Sequence, residues 1–181
     1  TMETEIPEML YRVNHTGHRF TFHASRMRMK KVDLGELGKM NAQADRCAEE
    51  LADAAVDAAA YACLVAVMSE GPDYSSVMGE KLTRILEAGG SDAEMITSAG
   101  ALIQGVRTLG VRRVALITPY MKPLTDLVVE CLENAGIQVV DSISLEIADN
   151  QEVGRRNPIA LVDLARELDL ERAQALIVSA F

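Results

Sequence analysis

The stretch AAAYACLVAVM (58–68) decides the fold class, because it is a nearly unbroken apolar run typical of a strand covered on both faces. The turn-rich segment SEGPDYSS (69–76) follows it, and YSSVMGEKLTRILEAGG (74–90) then carries apolar residues at helical spacing. Cys63 lies near the carboxyl end of the predicted strand. In an α/β fold, that end of a parallel strand borders the ligand crevice.

Cys63 is therefore the first candidate for a catalytic residue. Backbone amides and the positive end of a helix dipole at such a position lower the pKa of a thiol, which favours the nucleophilic thiolate. Plain packing is the alternative, because free cysteines are among the most buried small apolar residues. For Cys47 and Cys131, which lie on the apolar faces of predicted helices, packing is the favoured interpretation.

Strands and helices alternate along the rest of the chain. Such alternation predicts an α/β fold with a mainly parallel sheet. The patterns predict strands over 19–27, 58–64, 112–120, 137–147 and 173–181, a short strand at the start of 93–100, helices over 32–57, 74–88, 122–136 and 158–169, a helix ending near Leu109, and a loop over 148–157.

The two ends look cut. TMETEIPEML (1–10) has the acidic first turn of a helix, whereas a doubly wound domain normally opens with a strand. AQALIVSAF (173–181) is a buried-strand pattern with nothing after it. We therefore expect a first strand before Thr1 and a further segment after Phe181.

Two segments of the chain are also roughly similar to one another, which predicts two quasi-symmetric lobes. AAAYACLV and QALIVSAF each follow an acidic, alanine-rich helix and end in the same way. We divide the chain into a first lobe, 1–98, and a second lobe, 99–181, each a parallel sheet flanked by helices. Two such units facing one another would place Cys63 and Phe181 across one cleft.

Composition excludes several classes of function. The net charge of −9 argues against a nucleic-acid or anionic-membrane partner, since both bind basic patches. No glycine-rich nucleotide motif follows a strand, and no apolar run is long enough for a membrane span. His15, His18 and His23 match no zinc-site spacing, so no metal is expected. Three cysteines without a C-x-x-C pair indicate a reducing cytoplasm.

Two further polar residues follow predicted strands. Tyr120 ends the strand over 112–120, so its hydroxyl could enter the same crevice as Cys63. Asn150 follows the strand over 137–147, and its amide could donate to a carboxylate. Simple turn chemistry is an equally good interpretation of both.

The segments YACLVAVMSEGP (61–72), TPYMKPLT (118–125), DN (149–150) and TMETEIP (1–7) together resemble the maleate cis-trans isomerases of the aspartate/glutamate racemase superfamily. The resemblance covers essentially the whole chain. It implies two α/β lobes with the active site in the interlobe cleft, where one cysteine from each lobe flanks a small dicarboxylate. It also implies isomerisation of maleate to fumarate through a covalent cysteine adduct, without a cofactor. We further expect a homodimer or higher homo-oligomer.

The resemblance assigns roles by position. Cys63 matches the nucleophile of the first lobe, Tyr120 a substrate-binding tyrosine, and Asn150 a carboxylate-binding asparagine. The amides of Leu64 and Val65 lie where the family's backbone donors meet a carboxylate.

The chain departs from the family pattern at two positions. Phe181 stands where the family has its second catalytic cysteine, after V-S-A, and a family asparagine falls upstream of Thr1. Three alternatives stay open. A racemase or epimerase would use the same two-cysteine site. An arylmalonate-type decarboxylase that needs one thiol, and a binder of small diacids without turnover, are both compatible with a phenylalanine at 181.

The segment 67–76 is interpreted as a mobile lid over the substrate. Its polar residues favour turns, and its apolar residues would form an underside that excludes water. The residues assigned to this lid are Val67, Met68, Gly71, Pro72 and Tyr74.

Overall fold

Helices and strands alternate through the molecule, which confirms the α/β class. The computed structural model describes residues 2–15, 17–71 and 73–179. The elements are α1 (Met2–Val13), α2 (Leu34–Asn41), α3 (Ala44–Asp53), β1 (Ala59–Tyr61), α4 (Leu64–Met68), α5 (Tyr74–Ala88), β2 (Met95–Thr97), α6 (Ser98–Thr108), β3 (Arg113–Thr118), α7 (Lys122–Asn134), β4 (Gln138–Ser144), α8 (Asn150–Gly154), α9 (Ala160–Ala165) and β5 (Ala175–Val178).

The strands form two parallel sheets, one in each lobe. In the first lobe β1 pairs with β2, and Tyr61 lies opposite Thr97 at their carboxyl ends. In the second lobe the order is β4-β3-β5, with Ile117 opposite Val178. The proposed boundary after residue 98 falls at the start of α6 and stays a prediction.

Strand β3 is the centre of the second sheet. Residues 114–118 have no exposed surface, because strands lie on both sides of β3 and apolar side chains cover its two faces. One apolar cluster joins this strand to the first lobe through Val114 and Leu116, which belong to the same core as Val65 and Leu82. The lobes therefore share a continuous core behind the cleft.

The prediction of a strand over 58–64, within the longer apolar run to Met68, is wrong in its second half. Strand β1 ends at Tyr61, and Leu64–Met68 is a short helix, α4, in which four of the five residues are buried. A helix that is apolar on every side gives the same uninterrupted run as a strand buried on both faces, so periodicity cannot separate them.

The predicted strand over 19–27 is also wrong, since residues 17–29 form no strand. Its alternation arises from side-chain packing. The rings of Phe20 and Phe22 each lie 6.1 Å from the ring of Tyr11 on α1, and Met27 packs against the core. The Arg28 amide donates to a side chain, Gln43 Oε1, at 3.2 Å.

Three smaller differences concern helices. The predicted helix over 32–57 is two helices, α2 and α3, and the predicted helix over 158–169 shrinks to α9. The predicted loop over 148–157 contains α8, which begins after Asp149 because that carboxylate accepts from the amides of Gln151 and Glu152. In the part of the chain that the structure describes, no helix is long and apolar enough to cross a membrane.

Candidate active site

Cys63 lies at the carboxyl end of β1, as predicted, and directly precedes α4. Its backbone is extended, with φ −150° and ψ 101°, so the chain turns sharply from strand to helix at this residue. The thiol is partly buried. The backbone amide of Ala66, in the first turn of α4, is close enough to lower the pKa of the thiol. A donor at this place stabilises a thiolate.

The pKa of Cys63 nevertheless differs from the expected direction. Burial raises it above the ordinary thiol value, and this effect exceeds the lowering by the Ala66 amide. The helix is only five residues long, so its dipole is small. Cys63 is therefore mainly a neutral thiol at neutral pH until a substrate or base changes its surroundings.

Tyr120 is held rigidly at the end of β3. The carbonyl groups of Thr118, Pro119 and Tyr120 accept hydrogen bonds from three successive amides, those of residues 145–147, at 2.8–3.2 Å. The side chain is 3% exposed. Its orientation toward the cleft is thus fixed by the backbone on which it sits.

The Tyr120 hydroxyl joins the two lobes. It lies 3.2 Å from the Ser179 hydroxyl just after β5, and the backbone amide of Val65 in the first lobe is close enough to lower its pKa. Cys63 is close enough to raise the pKa of Tyr120 further, beyond the larger effect of burial. The structure therefore brings Cys63, Val65 and Tyr120 together at the interlobe cleft.

The other predicted site residues are less closely tied to this cluster. Leu64 is partly buried against the core at the start of α4. Asn150 is exposed, and its backbone amide donates to the Lys30 carbonyl at 3.4 Å. Its role in binding a carboxylate stays a prediction. Phe181 and Pro72 lie outside the described residues.

Part of the predicted lid belongs to the core. Val67 and Met68 lie in α4 with 0% and 2% of their surface exposed, so their assignment to a loop is wrong. Gly71 has a positive φ of 110°, consistent with a turn. Tyr74 begins α5 and is partly buried. The lid stays a prediction, now limited to the connection between the two helices.

We predict that amide hydrogen exchange in residues 69–74 slows when maleate binds, because a closed connection excludes water from the cleft. Mass spectrometry of exchange with and without saturating maleate measures this. Amides in the middle of α5, such as that of Leu82, provide the control. Unchanged exchange at 69–74 would mean that the segment is only a connector.

Three functional candidates were not predicted from the sequence. Ser179 is buried and contacts Tyr120, while Asn41 and Tyr61 form a buried pair behind Cys63. Ser179 has a recognisable signal, since it lies in the V-S-A end of β5. Asn41 has none, because nothing in its helical pattern distinguishes a buried asparagine from an exposed one.

The raised pKa values of Cys63, Tyr61 and Tyr120 predict a loss of stability in alkali. Burial raises all three, so the unfolded chain releases these protons at lower pH than the folded chain does. The free energy of unfolding should therefore fall above about pH 8.5, the ordinary thiol value, and more steeply above about pH 10. Urea titrations across this range measure it.

The Tyr120→Phe variant provides the control for alkaline stability, because it lacks one of the three groups. Its stability should fall less steeply with pH than that of the unmodified protein above about pH 10. A free energy of unfolding that stays constant from about pH 8 to about pH 11 would contradict the prediction.

Comparisons with known proteins agree with this geometry. A family model described as arylmalonate decarboxylase matches residues 10–180. The maleate isomerase of Geobacillus stearothermophilus is 52% identical over 182 residues, covering 99% of this chain and 72% of the relative. That of Alcaligenes faecalis is 46% identical with the same coverage.

Solved structures show the same fold. A cysteine-to-alanine variant of the Pseudomonas putida S16 maleate isomerase, with maleate, superposes with a TM-score of 0.97 at 48% identity and covers 99% of this chain and 73% of its own. A cysteine-to-serine variant of the Nocardia farcinica maleate cis-trans isomerase, with a covalently bound succinylcysteine intermediate, gives 0.95 at 46% identity, covering 99% and 73%. An arylmalonate decarboxylase variant gives 0.82 at 20% identity, covering 89% and 67%, a likeness of fold alone.

Fold and site together define an enzyme class. The protein's parallel sheets flanked by helices match the two-lobe fold of the aspartate/glutamate racemase superfamily, to which the matching family belongs. The chain belongs to the family described by the matching model and, within it, to the maleate isomerases.

Proposed function

We propose that this protein isomerises maleate to fumarate through a covalent adduct at Cys63. One observation carries the proposal: the Cys63 thiol is close enough to the buried Tyr120 hydroxyl to raise its pKa, and that hydroxyl lies 3.2 Å from the Ser179 hydroxyl of the second lobe. A nucleophile next to fixed neutral donors suits attack on a small unsaturated diacid.

The chemistry follows from the barrier to rotation about a double bond. The Cys63 thiolate adds to one alkene carbon, so a carbon–sulfur bond forms and the π electrons move into the carboxylate on the neighbouring carbon. The central bond of the succinyl-like adduct is then single and rotates. The electron pair returns, the carbon–sulfur bond breaks, and fumarate leaves with the thiolate restored.

The raised pKa of Cys63 requires that its proton be removed before or during the addition. The groups that surround the thiol are neutral, since burial also raises the pKa of Tyr120 and keeps that hydroxyl protonated. Tyr120 is therefore a donor to a substrate carboxylate and not the base. Of the two carboxylates of bound maleate, the one nearer Cys63 is negatively charged and can accept the proton of the thiol.

Neutral donors also fit the need to bind the transition state more tightly than maleate. The amides of Leu64 and Val65, the Tyr120 hydroxyl and the Asn150 side chain are assigned to the two carboxylates. Negative charge in the adduct shifts onto the carboxylate next to the carbanion, so donors placed there strengthen as the reaction proceeds. No cofactor is needed for these steps.

An arylmalonate-type decarboxylase is the less favoured alternative. Identity to the decarboxylase structure is 20%, well below the 46–52% identity to the maleate isomerases. We also propose a lobe boundary after residue 98, a homodimeric or higher assembly, and a reducing cytoplasmic setting, which the three free cysteines support.

Proton NMR of the purified protein with maleate tests the function. The olefinic signal of maleate should be replaced by that of fumarate, without added metal or nucleotide. Phenylmalonate provides the control for the decarboxylase alternative. Release of carbon dioxide from phenylmalonate, with maleate unchanged, would overturn the proposal.

A further inference from the structure

A buried polar cluster lies behind Cys63, formed by Asn41, Tyr61 and the backbone of Ala66. Asn41 Nδ2 donates to the Ala66 carbonyl oxygen at 2.9 Å, and Asn41 Oδ1 accepts from the Tyr61 hydroxyl. Asn41 and Tyr61 are 7% and 3% exposed. We call these three residues the Asn41 cluster.

The Asn41 cluster holds both sides of the turn that carries the nucleophile. Tyr61 is the last residue of β1, and Ala66 lies in the first turns of α4, so one side chain connects the two elements between which Cys63 is placed. Helix α4 has five residues, too few to be stable without tertiary contacts. Asn41 comes from a different helix, α2, and supplies such a contact.

The same residue, Ala66, connects Asn41 to the thiol. Its carbonyl accepts from Asn41 at 2.9 Å, and its amide is close enough to Cys63 to lower the pKa of the thiol. A shift in the orientation of Ala66 would therefore weaken the hydrogen bond to a thiolate. It would also displace the Val65 amide, which contacts Tyr120.

We propose that Asn41 and Tyr61 are positioning residues for Cys63, which hold the first turn of α4 so that the Ala66 amide points at the sulfur. This positioning role concerns the same reaction as the proposed function and rests on it. Neither side chain touches the substrate in this assignment. A buried polar group with both of its partners satisfied imposes one geometry on its surroundings.

The charged and titratable groups around the thiol do not provide another explanation of its orientation. Tyr61 from β1 and Tyr120 from the second lobe both face Cys63, and burial raises the pKa of each, so both are neutral at ordinary pH. Glu70, beyond the far end of α4, accepts from the same Asn41 Nδ2 at 3.2 Å. Asn41 is thus bonded to the helix and to the residue that follows it.

Alkylation of Cys63 by iodoacetamide as a function of pH, quantified on the Cys63 peptide by mass spectrometry, tests the role without using maleate. In Asn41→Leu, which keeps the side-chain size but removes all three of its hydrogen bonds, the midpoint of alkylation should move up by about half a pH unit or more. The kcat for maleate should fall about tenfold. Tyr61→Phe, which keeps the Ala66 bond, should show a smaller shift in the same direction.

Ser91→Ala is the matched control. Ser91 is also buried in the first lobe, and its hydroxyl donates to the Val56 carbonyl at 2.8 Å, at the opposite end of the sheet from Cys63. This variant should lose stability while keeping the alkylation midpoint.

The proposal is overturned if Asn41→Leu and Tyr61→Phe keep the midpoint of the unmodified protein. If Asn41→Leu fails to fold, the alkylation midpoint of Tyr61→Phe alone decides whether the proposal stands. The absence of maleate turnover in the unmodified protein would instead count against the proposed function, because the alkylation profile is measured independently of it.

Discussion

Replacing Cys63 with serine is expected to abolish maleate isomerisation while leaving the fold intact. A hydroxyl is close in size to a thiol, but it stays protonated in the pH range where a thiolate forms, so the adduct cannot be made. We expect a loss of at least about a thousandfold in kcat, the scale on which removal of a nucleophile acts. Fumarate formation followed by NMR measures the rate, and circular dichroism verifies the fold.

Cys47→Ser and Cys131→Ser are the matched controls. Both thiols are buried away from the cleft, and Cys131 Sγ donates to the Met68 carbonyl at 3.3 Å, a bond that a serine hydroxyl can replace. These variants should keep their activity, with at most a modest loss of stability. Near-normal turnover in Cys63→Ser, or a loss confined to either control, would contradict the assignment of the nucleophile.

Replacing Phe181 with cysteine is expected to raise maleate isomerisation by at least about a hundredfold, the usual scale of a positioned acid–base group. The prediction rests on the family's paired cysteines, of which position 181 matches the second. A phenylalanine at a site position supplies no proton, and we expect its ring to take up space that a substrate carbon needs. A thiol would deliver and remove a proton on the face opposite Cys63.

Phe181→Ser and Phe181→Ala separate the two effects of the phenylalanine. Alanine removes its bulk without adding an acid, so it should recover less activity than cysteine. The gain in Phe181→Cys should disappear when Cys63→Ser is added. An unchanged rate in Phe181→Cys would mean that position 181 is not in the site.

The sequence predicts the second lobe better than the first. Strand β3, helix α7 and strand β4 lie within their predicted ranges. Residues that end an element mark these boundaries: Pro119 follows the first strand, and Gly136, with a φ of 80°, follows the helix. The stretch around Cys63 has no such signal. There an apolar run conceals the change from strand to helix at residue 64.

The position of Cys63 could be predicted, but its electrostatic state could not. That state depends on how much of the thiol is covered by the second lobe, a long-range property that local sequence does not contain. The same limit applies to Asn41, whose partners lie 20 and 25 residues away along the chain. Tyr120 can be predicted because it lies at the carboxyl end of a strand, the end that borders the ligand crevice in an α/β fold.

Peptide mass spectrometry of the protein quenched in acid during turnover of maleate tests the central claim most directly. The adduct predicted here adds maleic acid intact to one thiol, so the peptide that contains Cys63 should carry a succinyl group, and those containing Cys47 and Cys131 should not. The succinyl group, which serves as the label, should disappear from this peptide as maleate is exhausted. Formation of fumarate with no label at Cys63, or with the label only at another cysteine, would contradict the account.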